Sequence, residues 1–182
     1  VEKNGSTSPY GTIVALSESP IDPDFMAIGT DDGLIQITED GGKTWRKVAN
    51  ISGAPNQAYV NSVYLSQHDS NLMYAAFNHH KYGDFTPYIF KSEDRGNSWK
   101  SISNNLPKRG SVYSIEEDHV DKSLIFCGTE FGVFFSPNKG ERWKKLGNGL
   151  PTIAVRDIAI QRRENDLVLG TFGRGFYVMD DY

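Results

Sequence analysis

Three acidic residues lie in loops where a hydrolytic site could form, namely Asp31, Asp84 and Glu130. Asp31 follows Gly29-Thr30 and Glu130 follows Gly128-Thr129, so these two carboxyl groups occupy the same place in two related segments. Glycoside hydrolysis needs two carboxyl groups about 5–5.5 Å apart for retention or about 6.5–9.5 Å apart for inversion. We therefore treat the three acids as candidate catalytic residues. The alternative is that each is a solvated turn residue, since short acidic side chains are common in turns.

The longest connection between apolar segments runs from Asn78 to Pro87, and it includes Asp84. Long connections often carry function. Further candidate ligand-binding residues lie in this connection or in loops expected on the same face: His79, His80, Tyr82, Arg109, Arg156 and Arg174. A cluster of arginines would suit a carboxylate ligand. The two adjacent histidines point apart on a strand end and no third ligand is spaced with them, so we expect no metal and no cofactor.

These loops must be positioned by a repeated unit whose clearest mark is the pattern [ST]-x-[DN]-x-G-x-x-W. It occurs as Thr38–Trp45, Ser92–Trp99 and Ser136–Trp143, at intervals of roughly 40–55 residues, near the period of propeller blades. We call these three segments the box turns. Their predicted structural residues are Asp40, Gly42, Trp45, Asp94, Gly96, Trp99, Asn138, Gly140 and Trp143. The Asp or Asn should accept hydrogen bonds from turn N–H groups, and the Gly should supply a positive φ.

Short apolar runs rich in Val, Ile, Tyr and Phe flank each box turn, and none shows helical periodicity. They predict an all-β fold built of blades of four antiparallel strands, with about four repeats and no helix of consequence. The expected blades are 11–50, 60–103, 111–147 and 155–182, and the last supplies three strands. In a propeller the connections between the second and third strands share one face with the connections between blades, while the box turns lie on the other face. Ligand sites usually occupy the axial mouth of the first face.

The box turns resemble the Asp-box, or BNR, repeat of sialidases, family-74 xyloglucanases and sortilin-type propellers. The run from Gly170 to Asp181, together with Pro107 and Gly149-Leu150-Pro151, resembles the end of the propeller in secreted bacterial BNR-repeat glycosyl hydrolase-like proteins. The resemblance implies a secreted or extracytoplasmic propeller segment that serves as a binding or scaffold module for a glycan or protein ligand. The alternative is part of an active glycoside hydrolase. Sialidase activity is disfavoured, because the Phe/Tyr-Arg-Ile-Pro motif and a Tyr-Glu pair are absent.

Composition excludes several classes of partner. The chain has 19 Lys and Arg against 23 Asp and Glu, so its net charge is −4 and it lacks the basic face of a nucleic-acid binder. No apolar run approaches the length of a membrane span. The first residues, Val1 to Ser6, show no signal-peptide pattern. The single cysteine, Cys127, rules out an internal disulfide and reads as a small buried hydrophobe.

About four blades do not close the seven- or ten-bladed ring that the resemblance implies, and an open arc would leave unpaired edges. Three arrangements could resolve this: a fragment of a longer parent with further blades, a self-associating arc, or a small ring completed by Val1–Tyr10. In the third, Tyr10 would lead a strand into the last blade. We expect the first.

Overall fold

The computed structural model describes residues 11–48, 50–147 and 149–182, which form four antiparallel sheets. Blade 1 contains β1 (Ile13–Glu18), β2 (Met26–Thr30), β3 (Ile35–Thr38) and β4 (Arg46–Val48). Blade 2 contains β5 (Tyr59–Leu65), β6 (Met73–His79), β7 (Asp84–Ser92) and β8 (Lys100–Ser101). Blade 3 contains β9 (Val112–Glu117), β10 (Ile125–Thr129), β11 (Gly132–Ser136) and β12 (Lys144–Lys145). Blade 4 contains β13 (Val155–Gln161), β14 (Asp166–Thr171) and β15 (Phe176–Met179).

The spatial order of strands within each sheet follows the order of the chain, which is the meander of a propeller blade. The first strands of successive blades contact one another, β1 with β5, β5 with β9, and β9 with β13. These are therefore the inner strands of an arc of blades, and the all-β prediction of about four four-stranded repeats is confirmed. Tyr10 and the rest of the N-terminal segment 1–10, which could complete a small ring, lie outside the described residues.

The connection in blade 2 differs from its predicted form. Instead of an open loop, most of it extends the hairpin, because β6 continues to His79 and β7 begins at Asp84, and these two residues pair. The tip is a 3-10 helix over His80–Tyr82, which ends at Gly83 with a φ of 78°. No helix in the described ranges is long and apolar enough to cross a membrane.

The apolar core lies between blades and is divided into three clusters. One cluster joins blades 1 and 2, with Phe25, Ile35 and Phe77 among its buried residues. The second joins blades 2 and 3, and the third joins blades 3 and 4. Each sheet thus buries a face only by stacking against its neighbour, which is the usual reason why repeat units need flanking repeats. Cys127 is fully buried in the second cluster.

Candidate functional site

The connections between the second and third strands place three residues at matching positions on the axial loop face. The backbone N–H groups of Asp31, Glu130 and Phe172 each donate to the carbonyl oxygen just before the inner strand of their own blade, at 2.9–3.1 Å. Asp31 and Glu130 are therefore structurally equivalent in blades 1 and 3, as their matching sequence positions indicate. Blade 4 has an aromatic ring where those two blades have an acid.

The carboxylate of Asp31 is engaged by the backbone. Its Oδ1 atom accepts hydrogen bonds from the N–H groups of Gly11 and Thr12, at 2.9 and 3.1 Å. Since these residues directly precede β1, the side chain fixes the entry of the chain into the innermost strand of blade 1. This is a structural use of one candidate catalytic acid.

Asp84 is engaged within its own hairpin. Its Oδ1 atom accepts from the N–H of Thr86 at 3.0 Å, and its Oδ2 atom accepts from the hydroxyl of Tyr88 at 2.7 Å. Partial burial alone would raise the pKa of Asp84, but the hydrogen bonds from Tyr88 and Thr86 outweigh it and lower the pKa. This carboxyl group is therefore ionised near neutral pH and has no proton to donate as a general acid.

A small pocket brings together Asp31, His79 and Tyr82, with Gln57 and Tyr59 completing part of its wall. The rings of His79 and Tyr82 stack with their centroids 4.3 Å apart and an interplanar angle of 16°. The 3-10 turn creates this stack by folding Tyr82 back over the end of β6. Residues of blade 1 and of the tip of blade 2 thus line the same pocket.

His80 points into a different set of contacts. Its Nδ1 atom lies in hydrogen-bond contact with Asn78 Oδ1, Asn78 donates to Asn61, and Asn61 donates to the carbonyl oxygen of Val112 at 2.6 Å. Burial lowers the pKa of His80, and the positive charges of Lys81 and Arg156 lower it further. The ring is therefore neutral near pH 7, and the asparagines connect it to the inner strand of blade 3.

Arg156 is an exposed basic group of this face that lies against two aromatic rings. Its guanidinium carbon lies 3.7 Å from the centroid of the Tyr113 ring and 5.3 Å from that of Phe172. The side chain is exposed and makes no hydrogen bond or ion pair with any residue that the structure describes. Glu130 lies near enough for its charge to act on Tyr113 and on His80. The Glu130 carboxylate accepts no hydrogen bond from the described part of the chain.

The other two candidate arginines have separate surroundings. Arg109 lies over the Phe85 ring, 5.0 Å from its centroid, on the side of the extended hairpin. Arg174 is an exposed residue of the turn between β14 and β15. Of the three candidate arginines only Arg156 contacts aromatic rings of two neighbouring blades, so it is the strongest candidate for the centre of a binding site.

The box turns lie at the opposite ends of the strands and share one hydrogen-bond pattern. In the second turn, Ser98 N–H donates to Asp94 Oδ1 at 2.8 Å, Ser98 Oγ donates to Oδ2 at 2.6 Å, and Ser92 Oγ donates to Oδ1 at 2.8 Å. Gly96 N–H donates in turn to Ser92 Oγ at 2.8 Å, and its φ is 80°. These bonds lower the pKa of Asp94 to about 2, with that of Ser98 Oγ contributing most.

The first and third box turns repeat this arrangement with different side chains. Asp40 accepts from Thr44 N–H at 2.9 Å and from Thr44 Oγ1 at 2.6 Å, and its pKa is lowered to about 2. Asn138 accepts from Arg142 N–H at 3.0 Å. Because each of these side chains accepts hydrogen bonds from its own turn in all three cases, we assign Asp40, Asp94 and Asn138 a structural role.

Two acids at the end of β9 were not among the sequence candidates. Glu117 is fully buried, and its carboxylate accepts from Ser66 Oγ and from Gln67 N–H, at 2.8 and 2.9 Å. Burial raises the pKa of Glu116 to about 7, although the hydroxyl of Tyr64 and the charge of Arg162 oppose the rise. The only sequence signal was a Glu-Glu pair at a strand end. Register places it at the face opposite Arg156, since Glu117 pairs with Ile125 whereas Val112 pairs with Thr129.

Two further features bear on where a ligand or metal could bind. A cavity of about 670 Å³ lies between β3, β4 and the 50–57 connection, lined by Lys47, Asn50 and Gln57 among others. None of the candidate catalytic or ligand-binding residues lines it, although the adjacent Asp32–Leu34 turn does. Within ranges 11–48, 50–147 and 149–182, no group of three or more His, Cys, Asp or Glu side chains could hold a metal ion.

Comparison with known structures identifies the class of protein as a β-propeller. The chain matches an ancestral GH74 enzyme with a TM-score of 0.72 and 17% identity, over 96% of this chain and 25% of that one. It matches YCF48, solved with a D1 peptide bound, with a TM-score of 0.68 and 17% identity, over 96% of this chain and 55% of that one. It matches the extracellular domain of BT4673 from B. thetaiotaomicron with a TM-score of 0.69 and 15% identity, over 97% of this chain and 22% of that one.

These likenesses show the fold, and the chain spans between about a fifth and about half of the length of these three propeller proteins. No protein-family model and no curated protein matched the sequence. The chain is therefore a propeller module similar to arcs of longer propellers.

Proposed function

We propose that this chain is a binding module, an arc of an Asp-box propeller from an extracytoplasmic protein, whose axial loop face binds a carboxylate-bearing glycan or protein segment. Arg156 carries the proposal. Two aromatic rings hold its guanidinium in place, while its N–H groups have no partner in the described residues. A guanidinium pre-oriented in this way matches a carboxylate through two parallel hydrogen bonds.

The surroundings of Arg156 suit the rest of such a ligand. Phe172 is exposed beside it, and Tyr82 is exposed at the tip of the blade 2 hairpin. Aromatic faces of this kind pack against sugar rings or against peptide side chains, and they add apolar contact to a polar anchor. The neutral ring of His80 places no competing positive charge there at pH 7.

The known propellers support the two possible ligand classes and the location. YCF48 was solved with a peptide bound, GH74 proteins are enzymes, and the BT4673 domain is extracellular. The blades that these longer chains contain beyond the matched arc support our expectation that the ring of this module is completed by further blades.

Binding titrations test the proposal with paired ligands that differ only in a carboxylate. The probes are uronate-containing and neutral oligosaccharides, and peptides with free or amidated C-termini. Arg156→Gln should weaken binding of the carboxylate member of a pair by about tenfold or more, the value of a charged hydrogen bond. Arg142→Gln, at an exposed arginine of the opposite face, is the matched control and should change nothing. Equal affinity for both members of each ligand pair, unchanged by Arg156→Gln, would refute the proposal.

An active glycoside hydrolase is the second candidate, favoured by one observation. Glu130 is the candidate acid whose carboxylate accepts no hydrogen bond within the described ranges, whereas Asp31 and Asp84 are engaged by their own loops. Aryl glycosides test this directly. If the module hydrolyses one of them, Glu130→Gln should abolish turnover while Asp84→Asn leaves it. We expect no turnover by the wild-type chain, since Asp84 is ionised near neutral pH and has no proton to donate, and the Asp31 carboxylate is held by the backbone of its own blade.

A further inference from the structure

The connections between successive blades share a three-residue motif that ends in proline. It occurs as Gly53-Ala54-Pro55, Asn105-Leu106-Pro107 and Gly149-Leu150-Pro151, each shortly before an inner strand. The N–H of Ala54 donates to the carbonyl oxygen three residues back at 3.0 Å, and the N–H of Leu106 makes the same bond at 2.8 Å. The φ angles of Gly53 and Gly149 are both 91°. The middle residue of the motif therefore occupies an equivalent position in the three connections.

A leucine fills the space at this position in the last two connections. Leu106 is buried in the cluster between blades 2 and 3. Leu150 packs against the cluster between blades 3 and 4, and its Cδ2 atom lies 3.9 Å from the position of a Cβ added at Gly132, at the start of β11. In blade 3 the leucine thus spans the distance between the blade connection and the turn that leads into the third strand.

The first connection has Ala54 at this position, and its short side chain does not span that distance. The cavity of about 670 Å³ lies here, between Ile51 and Ala54 of the connection and the Asp32–Leu34 turn. We call it the junction cavity. One side is bounded by close packing, because a Cβ added at Gly33 would lie 2.8 Å from the carbonyl oxygen of Ala58. The junction cavity is therefore a local departure from the repeat, held open by the exchange of leucine for alanine.

The described lining of the junction cavity carries no net charge. Lys47 and Asp32 are its charged residues, and they have opposite signs. The carboxylate of Asp32 accepts a hydrogen bond from the hydroxyl of Thr30, whereas the ammonium group of Lys47 has no hydrogen bond or ion pair with the residues that the structure describes. An anion attracted by Lys47 would also meet the carboxylate of Asp32. The charges therefore favour an uncharged ligand.

Three side-chain carboxamides line the cavity, those of Asn50, Asn56 and Gln57. The first two make no hydrogen bond within the described part of the chain. Gln57 has a φ of 57°, and its Oε1 atom accepts from the hydroxyl of Tyr82 at 3.4 Å, so it lies between the junction cavity and the small pocket beside Tyr82. Each carboxamide both donates and accepts hydrogen bonds. The set matches a ligand whose neighbouring groups do the same.

We propose that the junction cavity binds a neutral sugar. Vicinal hydroxyl groups offer alternating donors and acceptors to the carboxamides, and the apolar face of a sugar ring can pack on Ile51 and Pro55. The volume lies within the range of about 300–1,000 Å³ of small-molecule sites and suits about one or two hexose residues. The close approach of Gly33 and Ala58 favours such a compact ring over an extended peptide. Arg156 does not line this cavity, so the inference is independent of a carboxylate site there.

An NMR titration of the isotope-labelled full chain tests the proposal. The probes are glucose, galactose, mannose, cellobiose and maltose, with inorganic phosphate and a blocked neutral tripeptide for comparison. At least one sugar should cause saturable shifts of the side-chain amide signals of Asn50, Asn56 and Gln57, and phosphate should not. Ala54→Leu should abolish these shifts, because it places in the cavity the side chain that the other two connections carry. Ala54→Ser, which keeps a small side chain, is the matched control and should retain them.

A second variant keeps the test decisive if Ala54→Leu lowers stability in urea. Gln57→Gly removes one carboxamide, and glycine adopts a φ of 57° at little cost, so sugar binding should weaken by about fivefold while the fold is retained. Absence of saturable shifts with every sugar, shifts confined to other residues, or preference for phosphate or the tripeptide would overturn the proposal. Sugar binding unchanged by both Ala54→Leu and Gln57→Gly would overturn it as well.

The same variants separate this cavity from the proposed carboxylate site. Arg156→Gln should leave the sugar-induced shifts unchanged, since Arg156 lies outside the lining. Ala54→Leu should in turn leave any preference for a carboxylate ligand unchanged. Failure of one site is therefore visible without failure of the other.

Discussion

At the scale of single residues, the box turns show why one position accepts Asp or Asn but few other side chains. In the second box turn, Asp94 accepts a hydrogen bond from the N–H group four residues later in the chain. The hydroxyl of Ser92, at the start of the same turn, accepts one from the N–H of Gly96. Asn138 retains the first of these bonds through its amide oxygen. The turn therefore forms without a negative charge at this position.

Asp94→Ala should lower the free energy of unfolding by about 1 kcal/mol, because the turn N–H and hydroxyl groups lose their acceptor while remaining open to water. Asp94→Asn should cost less, as box turn 3 already uses Asn. Urea unfolding measures both. A free energy of unfolding unchanged by Asp94→Ala would contradict the role of this side chain in the turn.

The lowered pKa of Asp94 also fixes a pH dependence. Its ordinary pKa is 3.8 and its folded pKa is about 2, so the ionised form is favoured by folding. The stabilisation is complete above pH 4 and is lost as the pH falls through 2. Acid unfolding of Asp94→Asn should therefore be less steep in this window than that of the wild type.

Glu116 predicts a dependence of opposite sign. Burial raises its pKa from 4.5 to about 7, so between these values the folded chain binds more protons than the unfolded chain. Stability should fall as the pH rises from about 4.5 to 7. Glu116→Gln should remove this component and should be more stable than the wild type at pH 8. Melting temperatures across this range check it, with Glu93→Gln at an exposed acid as the control.

At the scale of elements, the glycines of the second strands set the distance between blades. Gly128 lies against the backbone of Val155, and the side chain of Ser114 occupies the rest of the space. A glycine inside a strand usually costs stability, and here it is retained because another strand approaches closely. The hairpin of blade 2 is extended by backbone pairing, since two more residue pairs lengthen β6 and β7 before the 3-10 turn.

Gly128→Leu and Gly170→Leu should behave differently although they change equivalent positions. The first must displace the backbone of blade 4 and should cost at least about 1–3 kcal/mol. The second enters open space and should change stability little. Urea unfolding compares them. Equal losses for the two variants would contradict the close approach of blades 3 and 4.

At the scale of the whole molecule, the three tryptophans report the position of each blade in the arc. Trp143 Nε1–H donates to the carbonyl oxygen of Ile102 in the preceding blade at 2.7 Å, and Trp99 packs against the cluster between blades 1 and 2. Trp45 has no preceding blade in the described chain. The same sequence position therefore ranges from buried to exposed according to what precedes it.

Trp143→Ala should destabilise the chain by about 3–5 kcal/mol, the cost of emptying a buried aromatic site. Trp45→Ala should cost much less, because Trp45 is 40% exposed. Thermal melts measure the difference, and acrylamide quenching of a Trp99→Phe, Trp143→Phe variant should show that Trp45 is accessible to solvent. Equal destabilisation by the two alanine variants would contradict the graded burial.

Much of the fold could be predicted from local pattern. Repeats, alternating apolar residues and the box turns each act over a few residues, so the sequence indicated the strands, the hairpins and the equivalence of Asp31 with Glu130. The candidate site was less predictable. Asp31 and Asp84 accept hydrogen bonds from N–H and hydroxyl groups of their own blades, which no sequence pattern indicated. The contact of Arg156 with Tyr113 joins two blades and so depends on tertiary packing.

The sequence by itself determined that the chain is an all-β repeat protein, because hydrogen-bonded hairpins and their turn chemistry are local. Only the tertiary structure decided which of the equivalent side chains are buried, which acidic residues have a raised or lowered pKa, and which blade faces are exposed among the described residues. The physical reason is that the burial and desolvation of a side chain depend on which neighbouring blade packs against it. Ile13 and Val60 have almost the same side chain and the same place in the repeat, and the blade before Val60 is what separates them.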